Sequence, residues 1–352
     1  MDFRRDLISS GQTVVLGLSG GPDSVCLLHL LITEHDGQIV CAHINHGLRA
    51  EESDADEYFV AKLCEKLEVP LEIKRINAEA FARENGMTIE EAGRAARYTF
   101  FDEVCERYRT EGKPLPEITL AHNKDDQTET VLMRILRGTG TDGLAGIPEK
   151  RKSARGFDIV RPMLNISRKE IEEYLTDINA EFCTDSSNLG TEYLRNKLRL
   201  DIIPFVEKSV DVCMNQSLGR LATNAAEDKD YFDLLVEDIL EKNRQRCEDD
   251  FLDVAFILPA GLLAEAHPAV RHRLIRQAFF RIGLDKDIAA VHLAAADRLL
   301  ETWKRGGEAS GKRVEFPQDH TFGIRGKNAF FRSPGERESN WKTKRLSGNK
   351  KK

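Results

Sequence analysis

The stretch VVLGLSGGPDSVCLLHLL, residues 14–31, leaves few options for the chain around it. Val14 to Leu18 form an apolar run of strand length. Val25, Leu27, Leu28, Leu30 and Leu31 then recur as the packed face of a helix that opens at Pro22. A buried strand joined to a helix by the short hinge SGGPDS is the first half of a βα unit, and such units build parallel sheets. Gly20 and Gly21 allow a ligand to approach the backbone with no Cβ in the way. Pro22 pre-sets the first helical turn, and the Ser19 and Ser24 hydroxyls add donors. Free N–H groups at the positive end of a helix favour an anion. The turn therefore reads as a phosphate cradle, with a plain capped turn as the alternative. It is neither a Walker A loop, since no G-K-[ST] follows, nor the G-x-G-x-x-G dinucleotide fingerprint.

The same alternation continues to about residue 150. Strand-like runs at 14–18, 38–44, 71–76 and 117–122 are separated by helix-like runs at 24–35, 52–68, 88–109 and 125–137. The expected fold class is α/β: a parallel, doubly wound sheet followed by a smaller, mostly helical C-terminal domain. Ligands of such sheets bind beyond the carboxyl ends of the strands, where the strand order reverses. SGGPDS, HINHGLR (43–49) and AHNKDDQTET (121–130) each follow a strand, so three polar motifs are expected at one rim. Further on, Ser167 and Glu170 have capping-box spacing ahead of a helix. Residues 185–204 turn polar, then basic and helical, ending at Pro204. Residues 210–305 read as helices, and 314–332 as a hairpin with a GKN turn at 326–328. The expected domains are 1–212, 213–335 and a basic, unordered tail at 336–352.

The net charge of −7 disfavours nucleic acid as a partner until its distribution is considered. Residues 224–253 are strongly acidic, whereas 151–155, 193–199 and 341–352 are basic and suited to phosphates. Seven scattered cysteines without C-x-x-C spacing suit reduced thiols in a cytoplasm and argue against a zinc or iron–sulfur site. No apolar run approaches the ~20 residues of a membrane span, and the N-terminus MDFRRDLISS holds no signal-peptide core.

Within the motifs, Asp23 is a carboxylate beside the phosphate loop. It reads as metal-assisting or, more simply, as a helix cap. His43, His46 and Arg49 follow the second strand. H-x-x-H without a third ligand is no zinc site, so contacts to a nucleotide or a plain surface loop remain. Arg94 and Arg97 share one helix side; they reach phosphate or an anticodon, or pair with Glu90, Glu91 or Glu103. His122, Asp125, Asp126 and Glu129 gather at a strand end and the following helical turn. They are candidates to receive an ammonium group, deprotonate it or hold Mg²⁺. Arg195 and Arg199 share a helix face suited to RNA or ATP phosphates, or pack back on carboxylates. His267, Arg271, His272, Arg273 and Arg276 could cradle RNA by shape. Leu274, Ile275, Ala278 and Phe279 beside them read as core.

SGGPDS resembles the loop of the PP-loop ATP pyrophosphatase superfamily, with its adenine nucleotide alpha-hydrolase-like fold. HINHGLR, EEAGRAARYTFF (90–101), residues 121–147, RPML (161–164) and residues 185–204 are similar to one branch, the tRNA(Ile)-lysidine synthetases. That resemblance implies ATP and Mg²⁺ as cofactors, and tRNA(Ile) with a CAU anticodon and free L-lysine as partners. It implies that the C2 oxygen of the wobble cytidine is adenylated and lysine then displaces AMP, changing codon reading from AUG to AUA. It also implies an ATP-binding catalytic domain at 1–212 holding Ser19, Gly20, Gly21, Pro22, Asp23, Ser24, His43, His46 and Arg49 on the nucleotide. Catalysis would fall to Asp23, His122, Asp125, Asp126 and Glu129, and tRNA contact to Arg94, Arg97, Arg195, Arg199 and the helical domain. A homodimer is left open. Another PP-loop enzyme, a tRNA thiolase or amide synthetase, or a non-catalytic nucleotide-binding module is the alternative.

Overall fold

The computed structural model describes residues 1–47, 50–183, 194–244, 256–284, 286–306 and 312–334. Its contacts divide the chain into two units, Met1–Ala226 and Glu227–Lys352. The division falls inside one long helix, later in the chain than the turn near residue 212 where sequence places it. The basic tail at 336–352 lies outside the described residues.

The first unit runs β1 (Val14–Gly17), α1 (Pro22–Glu34), β2 (Ile39–Asn45), α2 (Ala50–Lys66), β3 (Leu71–Arg75), α3 (Ala78–Asn85) and α4 (Ile89–Arg107). It continues with β4 (Glu117–Thr119), α5 (Lys124–Leu136), α6 (Thr141–Leu144), β5 (Lys150–Lys152), β6 (Asp158–Val160), α7 (Arg168–Asp177) and α8 (Leu194–Lys197). A wide helical turn, Leu198–Ile202, leads into α9 (Ile203–Val210) and α10 (Met214–Arg244). Pro204 therefore does not end the basic helix. It occupies the first turn of α9, where its missing N–H costs little.

The sheet order is β3-β2-β1-β4-β6-β5, parallel throughout except for the β5–β6 pair. β1 bonds β2 on one side and β4 on the other, so the strand order reverses at β1. The β1–α1 and β4–α5 loops flank that switch point, where such sheets take their ligands.

Alternation along β1 builds both layers. Val14, Leu16 and Leu18 pack with α1, Val60 and Cys64 of α2, and Ile171 and Leu175 of α7. Val15 packs on the opposite face with Phe100, Phe101 and Val104 of α4. Gly17 falls on this second face because α4 leaves no room: a Cβ there would stand 2.7 Å from Phe101 Cζ and 2.9 Å from Leu120 Cδ2.

In the second unit β7 (Phe256–Pro259), β8 (Arg313–Phe316), β9 (His320–Arg325) and β10 (Asn328–Arg332) form an antiparallel sheet ordered β7-β10-β9-β8. It packs with α11 (Ala260–Glu265), α12 (Pro268–Phe280) and α13 (Ala290–Lys304). Leu274, Ile275, Ala278 and Phe279 are buried there, as their spacing demands. The basic residues between them are engaged within the unit. His267 caps α12 through the Ala269 N–H, Asp297 takes both Arg271 (2.7 Å) and His272 (2.8 Å), and Arg273 lies over the Phe232 ring.

Candidate active site

Ser24 braces the β1–α1 loop from its centre. Its Oγ accepts from the Ser19 N–H (3.2 Å), lies 3.1 Å from Ser19 Oγ and donates to the Gly21 carbonyl (3.0 Å). Ser19 Oγ in turn accepts from the Gly21 N–H (3.4 Å). Gly20 has φ +91°, and a Cβ there would lie 3.2 Å from Val60 Cγ2, so the position demands glycine. Its carbonyl accepts from the Cys183 N–H at 2.9 Å. His43 supports the loop from beneath, buried, with Nδ1 2.9 Å from the Leu18 carbonyl. Pro22 opens α1. Arg49 and residues 185–188 lie outside the described residues.

The loop and the acids of α5 meet through Asn123, which sequence reasoning passed over. This residue is 1% exposed and caps α5: its Oδ1 accepts from the Asp126 N–H (2.9 Å), and its own N–H reaches Asp126 Oδ2 (3.0 Å). Its remaining donor, Nδ2, bonds Asp23 Oδ1 at 3.0 Å. The Asn123…Asp126 spacing is a capping box, the signal that could have exposed it.

Beyond Asn123 the three acids divide. Asp126 and Glu129 converge on two arginines from the start of the basic helical run, Arg195 and Arg199. Arg195 donates to Asp126 Oδ1 and Glu129 Oε2, both at 2.6 Å, and Arg199 donates to Glu129 Oε1 at 2.5 Å. Glu129 is 1% exposed, so the pair of cations balances a carboxylate withdrawn from water. Of the two readings of Arg195 and Arg199, the geometry is the one that packs them on carboxylates. Asp125 turns the other way, accepting from the Arg168 N–H (2.8 Å) and Asn215 Nδ2 (3.2 Å).

Asp23 differs from these acids. Burial, then the charge of Asp126, raises its carboxyl to about 6, against the pull of Arg168 (4.0 Å away), Asn123 and Arg199. Among the described residues no three His, Cys, Asp or Glu side chains gather as a metal site. Asp23, buried beside the phosphate loop and repelled by Asp126, is instead the carboxylate that fits Mg²⁺, which binds one or two carboxylates together with substrate phosphates.

Two histidines of the site, His122 and His46, are held toward their neutral form. Burial first, then Arg161, Arg195, Arg94 and Arg97, lowers His122 to about 3. Burial, Arg97 and His43 lower His46 to about 4. Nδ1 of each is buried without a partner. Arg97 Nη2 lies 3.4 Å from His46 Nε2, and Arg94 lies over the Tyr98 ring at 5.1 Å. Neither pairs with Glu90, Glu91 or Glu103.

A self-braced anion loop at the switch point of a parallel sheet, with acids bonded to it across the crevice, defines an α/β domain of the phosphate-loop class. The chain belongs to the PP-loop domain family, whose pattern matches residues 3–206. It is 34% identical over 320 residues to the tRNA(Ile)-lysidine synthase of Clostridium acetobutylicum, across 90% of this chain and 65% of that one. It is 40% identical over 242 residues to the enzyme of that name from Clostridium perfringens, across 67% of this chain and 50% of that one. The chain thus spans less than two thirds of these relatives' length. A U34-tRNA thiolase from Methanococcus maripaludis shares the fold, with 18% identity and a TM-score of 0.50 over 64% of this chain and 74% of that one.

Proposed function

We propose that the protein is an ATP-dependent ligase that joins lysine to C2 of the wobble cytidine in tRNA(Ile) bearing a CAU anticodon. The observation that carries this reading is the Asn123 bridge. One hydrogen-bond relay links the loop suited to a triphosphate with carboxylates suited to an ammonium group.

In the first step the cytidine O2 attacks the α-phosphorus of ATP, forming the O–P bond as pyrophosphate leaves. The Ser19–Ser24 turn and the α1 N-terminus receive the phosphates. Asp23 would hold Mg²⁺ here, and the chemistry supplied would be charge neutralisation at the leaving pyrophosphate. In the second step the lysine ε-nitrogen attacks C2, the C2–O bond breaks, and AMP departs with the oxygen. The amine must first lose a proton.

Asp126 and Glu129 are the acids for the ammonium group, and in the described geometry their oxygens are bonded to Arg195 and Arg199. A phosphate drawing those guanidiniums toward itself would free both carboxylates for lysine. Arg195 and Arg199 would then serve the phosphate and the amine in turn. No helix among the described residues is long and apolar enough to cross a membrane; the reading places the protein with its tRNA in the cytoplasm.

The test is isotope exchange between ATP and pyrophosphate. The reading expects exchange that needs tRNA(Ile) but not lysine, and net AMP release that needs both. AMP release without RNA points to a small-molecule amide synthetase. Binding of ATP without exchange points to a non-catalytic module.

A further inference from the structure

Arg161 follows β6 and is 2% exposed, yet no carboxylate among the described residues pairs with it. Its Nη1 donates to the Pro148 carbonyl at 2.7 Å, and its Nε is buried with no partner at all. A withdrawn guanidinium is ordinarily matched by an anion, since an uncompensated buried charge costs several kcal/mol.

Arg161 is not alone. It interacts with Tyr98 of α4, and the same ring carries Arg151 of β5 at 4.7 Å and Arg94 at 5.1 Å. Neither of these has a carboxylate partner among the described residues. Burial pushes the Tyr98 phenol up, but the three arginines outweigh it and its net displacement is downward. His122 faces the same charges with its Nδ1 unpartnered. Three independent elements, α4, β5 and the end of β6, thus deliver positive charge to one aromatic ring, and no carboxylate among the described residues neutralises it.

We propose that Arg94, Arg151 and Arg161, gathered round Tyr98 with His122 beside them, form a subsite for a phosphoryl oxyanion, supplied by an RNA backbone or by free pyrophosphate. A monocarboxylate would leave most of the positive charge uncompensated. Planar guanidinium forks match phosphoryl oxygens two at a time, and a neutral imidazole adds an N–H donor. The RNA source rests on the proposed function; the pyrophosphate source does not.

The test uses the full chain and two variants, the double variant Arg94→Met/Arg151→Met at less buried positions and Arg161→Met. Circular dichroism and thermal melting establish that each is folded. In one arm, binding of an anticodon stem-loop RNA is measured across salt concentrations. The expected result for the double variant is binding weakened by about tenfold and a log–log salt slope smaller by about two. In the other arm, pyrophosphate is titrated into protein already saturated with a non-hydrolysable ATP analogue, so that the β1–α1 loop is occupied. A loss confined to the first arm identifies RNA as the source, and a loss confined to the second identifies pyrophosphate. Unchanged binding in both arms overturns the subsite. If the arginine variants weaken binding while wild-type protein never joins lysine to RNA, the subsite stands and the proposed function falls.

Discussion

Beside α5, Arg195 and Arg199 meet Asp126 and Glu129, two cations against two anions, with one carboxylate wholly withdrawn from water. Beside α4, Arg94, Arg151 and Arg161 meet an aromatic ring, a neutral histidine and a backbone carbonyl, with no anion among the described residues. The residue type is the same, with burial in the second group running from exposed Arg94 to fully buried Arg161, yet the first group meets carboxylates of the fold and the second meets none among the described residues. A compensated cluster is pre-organised and resists change, because removing one partner strands the others. An uncompensated one leaves its charge available to the proposed oxyanion.

The largest effect should follow from breaking the compensated cluster. Glu129→Gln is expected to leave ATP binding intact and to cut lysine incorporation by about 100-fold or more. It should also cost about 2 kcal/mol in urea unfolding, since Arg195 and Arg199 are only partly shielded from water. Full activity would detach the α5 acids from amine handling.

Asp23 offers an intermediate effect with a sign that depends on pH. Its carboxyl is raised from 3.8 to about 6, by burial foremost, so the folded protein binds that proton more tightly than the unfolded chain. This contribution to stability is present below about pH 4 and is lost as pH rises through about 6. Asp23→Asn has no charge to bury. It should be about 1–2 kcal/mol more stable than wild type above neutral pH, with the advantage gone at acid pH, while exchange activity falls. Melting curves across pH would show it, and a variant less stable than wild type at neutral pH would contradict it.

The smallest effect sharpens the contrast. Arg94→Met and Arg151→Met remove cations that no carboxylate holds, so each should leave stability within about 0.5 kcal/mol of wild type. A loss as large as that of Glu129→Gln would mean that the α4 group is compensated after all.

Much of the scaffold was legible because local pattern decides it. The β1–loop–α1 unit, the four parallel strands of the early chain and the Ser167–Glu170 capping box all rest on neighbours in sequence, and the structure has them. The β5–β6 hairpin was not legible. Its strands are three residues long, and the basic run at 151–155 looks like a free patch until Lys152 is found on Asp158, beside the neighbouring Lys150. Long-range pairing hid the site's balance in the same way. Arg195 lies 66 residues from Glu129, and sequence put phosphate contact first, with packing on preceding carboxylates as the alternative. Asn123 could have been found, since Asn followed three residues later by Asp at a helix start is a cap. Its donor to Asp23, 100 residues away, could not. Arg161 inverts the ordinary expectation that arginine stays near water, and only burial in three dimensions reveals it.

The most direct trial of the central claim is mass analysis of the nucleosides of tRNA(Ile) after incubation with this protein, ATP and isotope-labelled lysine. The account predicts that the wobble cytidine gains the mass of one labelled lysine less one water, with ATP converted to AMP. An unmodified cytidine in tRNA that the protein demonstrably binds, with ATP left intact, would contradict it.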